Sequence, residues 1–304
     1  MMAPRDKTNA IYLTVLASLV WGTSFPGTKW GLKYVGNDVF FLWLRFLIAA
    51  VITLSVVTYF RKISFAIFKN PVIWLIGGFN AGGFLLQYIG LTITTASKTA
   101  LLVDINIVAV AIISYFAFKE RLGKIQTAGI ILGIVGAFFL TLNKELGFDP
   151  RQLPGDIMVY VAGWSWAFFI ILNKKMLSQH TGVEISSAAI VTCALWLTIP
   201  TAFLGATGGG SFDLKPLGLV AIAYLGLFCT SIATLLWAMG LEGVSATASA
   251  TIMLVEVLTA LAISITLLGE TMSAAAAGGA VLVMLSIYLV AGTGSGEKAQ
   301  VKAA

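Results

Sequence analysis

The chain says nearly the same thing twice. Five apolar spans run from about Ile11 to Leu142, and the pattern recurs from about Asp156 to Val290, with residue types matching at an offset of 145 to 150. Trp21 and Lys29 match Trp166 and Lys174, and Gly90-Leu91 matches Gly240-Leu241. Glu120 matches Glu270, and Gly129 matches Gly279. A duplicated block with an odd number of membrane crossings must sit in opposite orientations in the bilayer. Inverted repeats of that kind are the usual scaffold of secondary transporters.

Membrane crossings are required by the composition: 59% of the 304 residues are hydrophobic and 11% are charged. A soluble domain carries about a quarter charged residues, so most of this chain does not meet water. A bilayer core takes roughly 20 apolar residues per helix. The expected spans are 10–30, 38–60, 71–91, 97–118, 124–142, 156–176, 184–205, 216–237, 246–268 and 273–292. The fold expected is therefore all-α and integral to the membrane: ten transmembrane helices in two inverted five-helix repeats. Residues 1–9 form an N-terminal segment, 10–142 the first repeat, 143–155 a linker, 156–292 the second repeat, and 293–304 a disordered tail. Breakers separate the spans, as in Gly36-Asn37-Asp38, Lys69-Asn70-Pro71 and Lys215-Pro216. The first apolar stretch runs past signal-peptide length without a small-residue cleavage site and is read as a retained span.

Basic residues orient the chain. One set of alternate loops holds Arg5, Lys7, Arg61, Lys62, Lys69, Lys119, Arg121, Lys124, Lys174, Lys175, Lys298 and Lys302. The other holds Lys29, Lys33, Lys98, Lys144, Arg151 and Lys215. Twelve against six predicts both termini in the cytoplasm of a cell with this chain in its inner (plasma) membrane. The net charge of +6 forms no basic patch, which argues against nucleic acid as a partner. Cys193 and Cys229 both fall inside apolar spans, so no disulfide framework is expected. No Walker-type loop, metal-spaced cluster or Ser/His/Asp set is present, and His180 is the lone histidine. No cofactor is expected and the chain does not read as an enzyme.

Polar side chains within a bilayer are costly and usually face the bundle interior. On the fourth span Thr99 and Asn106 share a face; their mates on the ninth are Ser249 and Glu256. On the third span Asn80, Phe84 and Gln87 share a face at helical spacing, and their mates on the eighth are Thr230, Thr234 and Trp237. These two pairs of stripes point to a common central cavity; hydrogen bonding between neighbouring helices is the plainer alternative. Glu256, near the midplane, is placed to take an ammonium group or a coupling proton, or else to make a structural hydrogen bond. Arg45 and Asp104 lie at similar depth, roughly 10 Å in at 1.5 Å per residue, and read as a buried ion pair with structural or gating duty ahead of substrate binding. Glu256 reads as standing apart from that level. Lys29 and Lys98 can snorkel to the headgroups. Trp30, Trp43, Trp74 and Trp196 suit the interface or lipid, whereas Trp21, Trp164, Trp166 and Trp237 lie deeper, where one of them can face a ring-bearing substrate. The small-residue face of Gly129, Gly133 and Gly136, and that of Ala274–Gly279, read as close helix contacts.

Five strings in order resemble the drug/metabolite transporter superfamily, specifically its ten-span EamA-type exporters. They are Trp21-Gly22-Thr23-Ser24-Phe25, Leu44-Arg45-Phe46-Leu47-Ile48-Ala49-Ala50, Gln87-Tyr88-Ile89-Gly90-Leu91, Lys119-Glu120-Arg121-Leu122, and Leu267-Leu268-Gly269-Glu270. Family members usually carry proline thirteen residues before each of those glutamates, where this chain has Ile107 and Val257. Any helix kinks at those levels must then arise from another source. The resemblance implies export of a small metabolite by alternating access, with the aromatic amino-acid exporters looking nearest. The alternatives are a permease for another metabolite or drug and, more remotely, an intramembrane enzyme or receptor. Expected partners are a small-molecule substrate and the lipid bilayer, with the chain a monomer or homodimer.

Overall fold

The computed structural model describes residues 6–94, 99, 102–103, 106–119, 122–141, 149–209, 211–268 and 274–293. The described residues are almost entirely helical, and the isolated bridge between Val35 and Leu214 is the extended pairing among them. In chain order the α-helices are α1 (Lys7–Gly22), α2 (Ser24–Gly31), α3 (Asp38–Tyr59), α4 (Pro71–Ile93), α5 (Asn106–Phe118), α6 (Lys124–Thr141) and α7 (Leu153–Met176). They continue as α8 (Gly182–Thr207), α9 (Pro216–Tyr224), α10 (Ala233–Leu241), α11 (Ala246–Ile252), α12 (Val255–Leu268) and α13 (Ala274–Thr293). A π-helical stretch, Leu225–Ile232, joins α9 to α10.

The breakers act as caps. Asn37 accepts from the Val39 and Phe40 amides, and Asn70 accepts from Val72 with Pro71 in the first turn of α4. Pro216 opens α9. These side chains satisfy amides that a helix start leaves without intrahelical partners. The last turns differ. Arg61 and Lys119, just beyond α3 and α5, adopt left-handed φ of 52° and 54°. Glycine would hold that conformation at lower cost.

Among the described residues, six helices are long and apolar enough to cross a membrane: Lys7–Tyr34, Asp38–Tyr59, Pro71–Ile93, Leu153–Met176, Gly182–Thr207 and Pro216–Leu241. Four of the ten expected spans correspond to shorter apolar helices, Asn106–Phe118, Lys124–Phe139, Ala246–Thr259 and Ala277–Val290. Three spans expected as continuous helices are not. The first breaks at Thr23, the eighth loosens into the π stretch, and the ninth breaks at Met253-Leu254. The ninth breaks without proline because its hydrogen bonds tighten: the Leu254, Glu256 and Val257 amides donate to Thr251, Met253 and Leu254, three residues back.

Packing follows the repeat. α6 packs along α13, α4 along α7, α3 along α8, α1 along α10, and α5 against α11. Exchanging the two halves converts the α1–α10 contact into the α7–α4 contact and returns α3–α8, α5–α11 and α6–α13 to themselves. Close approaches obey the same exchange. A Cβ at Gly240 would lie 2.8 Å from the Ala10 carbonyl, and one at the matching Gly90 would lie 2.9 Å from the carbonyl of Gly155, the mate of Ala10. Along α6 and α13, Gly129 meets Ser286 whereas Gly136 meets Gly279. Residue numbers rise on one helix as they fall on the other, so this pair of repeat mates runs antiparallel. α3 and α8 do likewise: Trp43 donates to Thr198 at one end, and the Ser64 amide beyond α3 donates to Glu184 at the other. Mates packed antiparallel about a shared axis are the geometry of an inverted repeat. The small-residue faces thus work as expected, since in lipid it is close van der Waals packing that holds helices together.

Candidate functional site

The centre of the bundle is a circuit of side chains drawn from five spans. It starts on α7, where the Trp166 ring meets Phe84 of α4 edge-on at 5.3 Å. Phe84 in turn lies 5.2 Å from the Arg45 guanidinium carbon of α3. Arg45, only 3% exposed, donates from Nε to Thr230 Oγ1 on the π stretch at 2.7 Å. Beside Thr230, the Cys229 carbonyl accepts from Trp21 Nε1 of α1 at 2.7 Å. Trp21 leans against Trp237 of α10, ring centres 6.2 Å apart, and Trp237 stacks on Phe169 at 5.2 Å, back on α7. The π stretch is what makes this possible. Its altered hydrogen-bond register re-aims Cys229 and Thr230 toward two different helices, a use such insertions often have at functional sites.

Glu256 enters from the ninth span, in the first turn of α12. Its backbone carbonyl sits where a Cβ on Gly22 would come within 2.7 Å, so the breaks in the first and ninth spans face each other. The Cys229 thiol lies within electrostatic reach of both Arg45 and Glu256, and Thr23 Oγ1 approaches it to 3.7 Å. Arg45 and Glu256 thus both act electrostatically on one thiol of the π stretch.

The other expected site residues divide into groups. Trp237 is fully buried and donates to Ser249 Oγ at 3.0 Å, which ties the eighth span to the ninth. Asn80, Gln87, Thr99, Asn106 and Thr234 are all buried, the least so at 8%. Trp164 is half-buried against the larger apolar core. Trp30, Trp74 and Trp196 are exposed as expected; Trp196 donates to the Trp74 carbonyl and Trp43 to Thr198. Asp104 and Lys98, and the Lys29 side chain, lie outside the described residues, as do Glu120, Arg121 and Glu270. A groove of about 720 Å³ opens elsewhere, between α5 and α6, and its walls are apolar apart from Tyr115 and Thr127.

Sequence reasoning passed over Cys229, Phe169 and Thr23, and it left Trp166 among the tryptophans without a place. The repeat held a signal for Trp166. Its mate Trp21 takes the Cys229 carbonyl, and the mate of Cys229 is Phe79, whose carbonyl accepts from Ser165 at 2.7 Å. Because Ser165 satisfies that acceptor, the Trp166 indole turns instead toward Gly83 and Phe84. Symmetry fails in the same way at Arg45, whose mate Ile190 is fully buried and apolar.

The EamA-like transporter family matches residues 8–142 and 153–292, one match for each half. The chain is 26% identical over 283 residues to an uncharacterized transporter of Archaeoglobus fulgidus, covering 91% of this chain and 95% of the relative. It is 27% identical over 291 residues to a probable amino-acid metabolite efflux pump of Salmonella typhimurium, covering 91% and 93%. A crystal structure at 16% identity superposes with a TM-score of 0.79, covering 92% of this chain and 96% of the other, which shows a shared fold. Apolar helices, paired halves and a match along both repeats agree with the resemblance carried by the five sequence strings, and the names of the family and of these relatives indicate a transporter rather than an enzyme: this chain belongs to the EamA-like transporter family.

Proposed function

We propose that this protein exports amino acids, aromatic ones above all, across the inner (plasma) membrane by alternating access through the centre of the bundle. In this reading the repeats, 10–142 and 156–292, cross the bilayer ten times in opposite senses, and both termini lie in the cytoplasm. The basic-residue bias of the loops supports that orientation. The observation that carries the proposal is the central circuit. Trp21, Phe84 and Trp166 each keep part of their surface accessible where the two halves meet, and Arg45 and Glu256 bring opposite charges to the same thiol. Ring-bearing zwitterions match that combination of flat apolar faces and paired signs. The name of the Salmonella typhimurium relative, an amino-acid metabolite efflux pump, points the same way.

Transport by purified protein in liposomes, across a panel of amino acids and with or without a pH gradient, tests the proposal. Movement of aromatic amino acids is expected. If Glu256→Gln leaves their transport unchanged, Glu256 does not take the ammonium group. Failure to move any amino acid would favour a permease for another metabolite or drug.

A further inference from the structure

We propose that Arg45 receives the carboxylate of the transported molecule. The site then accepts aromatic solutes that carry a carboxylate, zwitterionic or anionic, and rejects aromatic amines that lack one. The inference rests on the transport reading above and adds a specificity to it.

A guanidinium presents five N–H donors in a fixed fork. Only Nε of Arg45 is engaged, by Thr230, and no carboxylate meets the terminal nitrogens among the described residues. The remaining neighbours are the Phe84 and Phe46 rings, at 5.2 and 5.9 Å, and the thiols of Cys193 and Cys229. Ring faces attract a cation but satisfy none of its hydrogen bonds. A buried charge in that condition is unfavourable, all the more within a membrane span. The terminal nitrogens are the edge of the fork that takes a carboxylate in two parallel hydrogen bonds. Holding Nε on Thr230 fixes the plane of the fork and leaves that edge available. Phe84, 5.2 Å from the guanidinium carbon, and Trp166, set edge-on to Phe84 at 5.3 Å, are the aromatic surfaces a substrate ring would meet. A guanidinium fork that no carboxylate meets among the described residues, and its pairing with the substrate carboxylate, are two sides of one arrangement. In the second repeat the same position is Ile190, so the anion-binding point exists once.

Three indoles separate the charges: L-tryptophan, indole-3-propionate (no ammonium) and tryptamine (no carboxylate). Binding to the purified full-length protein in nanodiscs is followed by thermal stabilisation and calorimetry. Tryptophan and indole-3-propionate should bind at least about tenfold more tightly than tryptamine, the ratio expected for a lost charge-assisted hydrogen bond. Arg45→Lys keeps the charge but loses the fork. It should weaken both carboxylates about tenfold, leave tryptamine unchanged, and melt close to the wild type. Asp104→Asn should leave the carboxylate preference intact; loss of that preference would assign Arg45 to a pair with Asp104 instead. Tryptamine binding as well as tryptophan, carboxylates indifferent to Arg45→Lys, or none of the three binding would each overturn the proposal. Liposome transport keeps the two readings apart. Tryptophan moving together with tryptamine at equal efficiency removes the Arg45 assignment and spares export. Carboxylate-selective binding without transport of any amino acid does the reverse.

Discussion

Trp21 and Trp166 occupy equivalent places in the two repeats and hold different jobs. Trp21 donates to a backbone carbonyl, whereas among the described residues Trp166 only packs, against Gly83 and Phe84. Trp21→Phe keeps the ring and loses the donor, leaving the Cys229 carbonyl without it. A cost of about 1 kcal/mol is expected, visible as a fall of a few degrees in the melting temperature of the purified protein. Trp166→Phe should leave melting almost unchanged and instead raise the KM for tryptophan in liposomes. If the two variants behave alike, the division of labour is wrong. Both tryptophans were legible as a repeated pair; which one hydrogen-bonds and which one only packs was not. That depends on Ser165 taking the Phe79 carbonyl, a contact between residues 86 apart in sequence. Arg45 was legible as buried, but its hydroxyl partner Thr230 sits 185 residues away on a stretch whose register shifts, and no spacing rule reaches it.

Caps and close packing were the elements easiest to read, because each depends on one or two residue types. Asn-Pro before α4 and the glycine row of α6 needed no knowledge of the partner helix. The interruptions were harder. The Met253-Leu254 break carries neither proline nor glycine, and the π stretch at Leu225–Ile232, with Gly226, Thr230 and Ser231 among its residues, has a composition that regular helices of this chain share. They come from what packs on either side, such as the Gly22 backbone against the Glu256 carbonyl. The close approaches give a controlled test. Gly240→Val and its mate Gly90→Val should each destabilise by about 1–3 kcal/mol, by similar amounts, because each drives a side chain into a neighbouring helix backbone. Gly278→Val, with nothing within 4 Å of its Cβ, should change melting little. Unequal effects at Gly90 and Gly240 would show that the halves do not share one packing geometry.

Across the whole molecule, the two-fold relation makes any asymmetry informative. At the end of the bundle that carries α1's N-terminus, Lys174 Nζ donates to the Leu241 and Val244 carbonyls at 2.9 and 2.6 Å. Beside it the Gly182 amide donates to Glu242 Oε1 at 2.7 Å. These bonds fasten α7 and α8 to the corner between α10 and α11. Charged hydrogen bonds are each worth about 1.5–3 kcal/mol. Lys174→Met should therefore speed hydrogen exchange at amides 241–246 by about tenfold or more. Unchanged exchange would mean that the Lys174 bonds do not hold the corner. In the alternating-access reading proposed above, export requires this corner to open while the opposite end closes, and Cys229, beside the Thr230 that holds Arg45, sits midway between the two ends.

That thiol offers the most direct test. With Cys193→Ser, Cys229 is the single cysteine, and an impermeant thiol reagent can be applied to either face of oriented vesicles. Cys229 should react from both faces under turnover, and L-tryptophan should slow the reaction. A thiol that stays unreactive from both faces while tryptophan is transported, or whose labelling ignores tryptophan, would place the pathway elsewhere and contradict the account.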